Sequence, residues 1–131
     1  MKLFVLIAWL VQGAVGVSLL WGRRATALVV LHVLPVAVVL GLWIWFTAGG
    51  PLIVGWAVFA VLVFALTFGD AMMVRRATPL LAPDVSGARR YLATLGLVFR
   101  GRLPRRVVFH AVFSAVVFFG ALAACLIETL G

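Results

Sequence analysis

Residues 23–47 read RRATALVVLHVLPVAVVLGLWIWFT. After the two arginines, residues 25–47 contain no Asp, Glu, Lys or Arg. At ~1.5 Å per helical residue, such a run spans a hydrocarbon layer of ~30 Å. Its apolar residues are continuous and lack the period-two alternation of a barrel strand, and lipid requires every backbone group to be paired internally. The stretch therefore reads as a transmembrane helix that begins at a basic boundary.

Three further stretches of the same kind lie on either side, at about 3–21, 52–74 and 107–130. Hydrophobic residues make up 66% of the chain and charged residues 11%, with a mean hydropathy of +1.29. Soluble domains are apolar over about half of their residues, so the composition excludes an ordinary soluble fold. The expectation is an all-α, multi-pass membrane protein: a four-transmembrane-helix bundle forming one integral domain over residues 1–131, with a basic loop at 75–106. The first span is longer than the ~7–15 residues of a signal-peptide core, and Arg23-Arg24 stand where a cleavage site would fall, so it reads as retained.

All ten arginines lie in two groups, Arg23-Arg24 and Arg75 through Arg106, opposed by a lone Lys2 at the other side. With four spans, both arginine-bearing loops share one side. The positive-inside rule makes that side cytoplasmic and puts both termini outside, in a plasma membrane of the bacterial inner-membrane kind. The net charge of +8 sits at membrane boundaries, which points to anionic inner-leaflet lipids and not to nucleic acid. Trp43, Trp45 and Trp56 near the Ala48-Gly49-Gly50-Pro51 turn, and Trp21 and Tyr91 near the arginine side, match two interfacial aromatic belts. The single Cys125 offers neither an internal disulfide nor metal spacing.

Within 75–106, each proline of Thr78-Pro79-Leu80-Leu81-Ala82-Pro83-Asp84 disfavours helix in the residue before it, giving a turn. A short helix follows, with Ser86 as N-cap and Gly101 and Pro104 as its end. Tyr91, Leu92, Leu95, Val98 and Phe99 fall on one apolar helical face. Arg89, Arg90, Arg100 and Arg102 flank that face. The pattern predicts a helix lying in the inner-leaflet interface, each arginine a head-group contact with ~1 kcal/mol of attraction for anionic lipid.

Candidate site residues are the few polar groups inside the spans. Counted from the arginines, His32 lies ~12 Å deep, His110 ~6 Å and Asp70 ~7.5 Å, and Ser18 of the first span reaches the same layer. On the fourth span Ser114 follows His110 by four residues and shares its face. Pro35 removes an amide three residues after His32 and should kink the second span there. Intramembrane ionisable residues turn toward a bundle interior, and two histidines on different helices have the chemistry to be axial ligands of a b-type haem. Asp70 has a structural reading as well, paired with Arg23, Arg24, Arg75 or Arg106.

No Ser/His/Asp order, phosphate loop or zinc signature appears, so an isolated enzyme is the least supported class. The leading expectation is an anchor, assembly or accessory component of a larger membrane complex, partnered by other subunits or by copies of itself. The alternative is a redox subunit holding haem b between His32 and His110. A third reading is a small oligomeric transporter or channel that uses Asp70 and the histidines as a relay.

Overall fold

A computed structural model describes residues 1–21 and 26–131. The Arg23-Arg24 loop, and with it any pairing of those arginines with Asp70, lies outside the described residues. The helices are α1 (Lys2–Leu20), α2 (Ala27–Thr47), α3 (Leu52–Ala77), α4 (Gly87–Phe99) and α5 (Arg105–Leu130), with a 3-10 turn at Thr78–Leu80. No strand occurs among the described residues. Four of the helices, α1, α2, α3 and α5, are long and apolar enough to cross a membrane.

The ends of these helices follow from local chemistry. Thr26 opens α2 with its hydroxyl accepting from the Val29 amide at 3.4 Å, which starts the helix two residues later than the arginines suggested. Pro51, in extended conformation, opens α3, and Pro104 opens α5. The α2–α3 turn closes on Gly49 at φ +102, a region that favours glycine. α2 is one helix through Pro35.

The four long helices form a ring. α1 packs on α2 and α5, and α3 packs on α2 and α5, which leaves α2 and α5 diagonally opposite across the bundle, as are α1 and α3. One core cluster joins Val5 and Trp9 to Trp43, Phe46, Val58, Val117 and Cys125. A smaller cluster at the arginine end joins Met73 and Ala77 of α3 to Val98 of α4 and to Leu103 and Val107. Many of the largest apolar side chains, Phe4, Leu34, Ile53, Phe64 and Phe119 among them, face outward from the bundle. An outward Leu/Val/Phe surface is what a lipid-solvated bundle needs, and helix association in lipid rests on close packing instead of burial from water.

α4 corrects part of the sequence reading. Its extent agrees with the expectation, and Ser86 occupies the N-cap position, but the Ser86 side chain makes no capping hydrogen bond. The five apolar residues assigned to one face divide between two. Val98 is only 3% exposed and is packed on α3 and α5, whereas Leu92 and Phe99 are 65% and 79% exposed. A helix that both docks on the bundle and borders another medium needs two apolar stripes, and an apolar count along the sequence does not separate them.

Candidate histidine site in the bundle core

His32 on α2 and His110 on α5 come from the diagonally opposite helices, and their rings meet in the middle of the ring of four. The ring centroids are 6.3 Å apart with planes at 77°. The ~6 Å difference in depth inferred from the arginines disappears because helix starts, not charges, set the levels. His32 is five residues past Ala27 and His110 five past Arg105, so both lie ~7.5 Å along their helices.

The other diagonal pair supplies a glycine to each ring. A Cβ on Gly69 of α3 would stand 2.9 Å from the His32 ring, and one on Gly16 of α1 would stand 3.1 Å from the His110 ring. Each imidazole thus lies directly on a neighbouring helix backbone, in space that any side chain would take. The His32 Nδ1–H donates to the Ala65 carbonyl at 2.9 Å. That carbonyl only accepts, so Nδ1 carries the proton and Nε2 of the neutral ring keeps its lone pair, the arrangement in which a histidine binds a metal.

His110 is bound differently. Its buried Nδ1 has no hydrogen-bond partner among the described residues. A cavity of about 50 Å³ lies between the rings, bordered by Gln12, Ser114, Trp9, Ala65 and Phe118. About 15 Å³ suffices for one water, and small-molecule pockets begin near ~300 Å³, so this is a space of water or ion scale.

The remaining candidates distribute unevenly. Ser114 borders the cavity while its hydroxyl donates to the Ala111 carbonyl at 2.6 Å. Ser18 turns onto its own helix, donating to the Val15 carbonyl at 2.7 Å, and does not line the cavity. Asp70, beside Gly69, is held from the α4 side, where the Tyr91 hydroxyl donates to its Oδ2 at 3.0 Å. Neither Arg75 nor Arg106 forms an ion pair with it. Arg90 donates from Nε to the Val85 carbonyl at 2.8 Å, folding back on its own loop, while Arg89, Arg100 and Arg102 are exposed.

Gln12 and Gly16 are the parts of the site that the sequence reading missed, whereas Gly69, four residues after Ala65, carries the small-residue spacing of a close helix approach. Gln12 lies near the middle of α1, whereas Glu128 sits at the far end of the bundle, where it pairs with Lys2 at 3.2 Å. No group of three or more His, Cys, Asp or Glu able to hold a metal ion occurs among the described residues. No family model, curated protein or solved structure matches this chain.

Proposed function

We propose that the chain is a multi-pass membrane subunit, part of a larger membrane complex, in which His32 and His110 form a ligand-competent pair that would hold a b-type haem for electron transfer once the helices part to admit it. The observation that carries this reading is the meeting of two imidazoles from diagonal helices at 6.3 Å between ring centroids. His32 and His110 would be the residues to hold the iron, and the bound group would supply one-electron chemistry at the middle of the bundle. The fixed His32 tautomer and the unpartnered His110 Nδ1 supply one ready ligand and one group with an unmet bonding requirement, which costs ~1–3 kcal/mol when buried.

In this reading the spans lie in a plasma membrane with the arginine end cytoplasmic, and α4 rests at the inner-leaflet interface through Leu92 and Phe99. The 50 Å³ cavity favours a second reading, in which the chain is an accessory bundle and the two rings are an interhelical contact packed on glycine. A macrocycle enters only where the four helices separate at the histidine level.

The experiment is a reduced-minus-oxidised absorption spectrum of protein purified in mild detergent and supplied with haemin, alongside His32→Ala and His110→Ala. The expected result is a low-spin b-type spectrum in the parent that is lost in each variant, with elution on gel filtration unchanged. A monodisperse, haemin-treated parent without such bands leaves the accessory reading standing.

A further inference from the structure

A second recess lies at the arginine end, on the outward side of α5. α4 ends at Phe99, the chain reverses through Gly101 at φ +64, and Leu103 anchors the connection in the core before α5 begins at Arg105. Between this connection and α5 runs an open groove of about 470 Å³, within the ~300–1,000 Å³ range of pockets that hold small molecules. Arg105, Val108, Phe109, Val112 and Phe113 line it at intervals of three and four residues along one helical face. The Phe109 and Phe113 rings stack at 4.9 Å and 14°, giving it a flat apolar floor.

We propose that this groove binds one anionic phospholipid, with the phosphate on Arg105 and an acyl chain laid along the Phe109–Phe113 stack. The groove has the polarity of such a molecule along its length: a cation at its mouth, then ~12 Å of apolar wall from Arg105 to Phe113 at the helical rise. It also runs along a spanning helix, so its axis follows the direction of a lipid in the leaflet. Arg105 has no hydrogen-bond or ion-pair partner among the described residues. The acidic groups are engaged or distant in sequence: Asp70 with Tyr91, Glu128 with Lys2 at the opposite end, and Asp84 in the preceding loop. A phosphate diester meets both requirements, charge at the mouth and two acceptor oxygens for one guanidinium. The proposal rests on the membrane reading above and is independent of the haem.

Native mass spectrometry of the full chain, exchanged into detergent containing phosphatidylglycerol or phosphatidylcholine, tests it. The expected result is one phosphatidylglycerol retained per chain, phosphatidylcholine retained more weakly, and an about tenfold loss of phosphatidylglycerol binding in Arg105→Gln. Arg105→Lys should recover part of it. Arg89→Gln, on the exposed side of α4, should leave it unchanged. Equal losses from Arg89→Gln and Arg105→Gln would mean diffuse attraction to a basic surface and overturn the site. Retention of an isoprenoid quinone in place of phospholipid, or a dimer that excludes lipid, overturns the assigned occupant. Recovery of the chain in the soluble fraction would instead remove the membrane reading on which both proposals stand.

Discussion

At the scale of single residues, the glycines opposite the histidines are the most demanding positions. A Cβ at Gly69 would fall 2.9 Å from the His32 ring, a ring already tied to Ala65 on the same helix. It cannot swing away without breaking that bond. Gly69→Ala should therefore destabilise the bundle by about 1–3 kcal/mol, the usual range for overpacking. Gly16→Ala, at 3.1 Å from a ring whose Nδ1 has no partner, should cost less. Gly41→Ala meets nothing within 4 Å, so it should be neutral or slightly stabilising through helix propensity. Thermal unfolding in detergent reads all three. A Gly69→Ala protein as stable as Gly41→Ala would show that the ring contact is loose.

At the scale of elements, the Tyr91–Asp70 hydrogen bond ties α4 to α3 above an apolar seam. The Tyr91 hydroxyl is raised above its ordinary value of 10.0, first by burial and then by its hydrogen bond to the Asp70 carboxylate and the charge beside it. The latch is thus fully present below pH 10 and is lost as pH rises through the higher folded value. Tyr91 is the chain's only tyrosine, so the alkaline phenolate absorbance reports it alone. Its midpoint should lie above 10, and Asp70→Asn should move it down toward 10. A midpoint that is the same in both proteins would disconnect the two helices. This pair also marks where sequence reading stopped. The four long apolar helices were legible because length and hydropathy are properties of each segment separately. Tyr91 reaching Asp70, Gln12 bordering His110 and the two histidines sharing a level depend on helix rotation and true helix starts, which Thr26 and Pro104 set and the arginines do not. The histidines were recognisable as candidates by their rarity, and Gly69 by its spacing from Ala65 as a point of close helix approach, but which of the 13 glycines faces which ring depends on helix rotation.

At the scale of the whole molecule, the two ends of the ring differ in charge. Where the termini meet, the end is nearly neutral: Lys2 and Glu128 pair at 3.2 Å, Lys2 also lies 4.5 Å over the Phe46 ring, and the Trp43 and Trp56 indoles donate to the Lys2 carbonyl and the Thr129 hydroxyl. The opposite end carries Arg75 through Arg106, and in sequence Arg23 and Arg24 as well. Moving the second end across a membrane would transfer many guanidinium groups, whereas the first end presents a self-neutralised pair. In the proposed membrane reading, the positive-inside rule turns that asymmetry into an orientation with the arginine end inside. Ser86 lies exposed in the arginine-end loop and Gly131 is exposed at the other end, while the native Cys125 is buried against Phe46 and Gly55. In sealed right-side-out vesicles, a membrane-impermeant maleimide should label Gly131→Cys at once and Ser86→Cys only after permeabilisation, with the parent protein unlabelled throughout. The reverse order would invert the bundle, turn the Arg105 groove toward the outer leaflet and leave the basic end facing a surface that the charge rule does not anticipate.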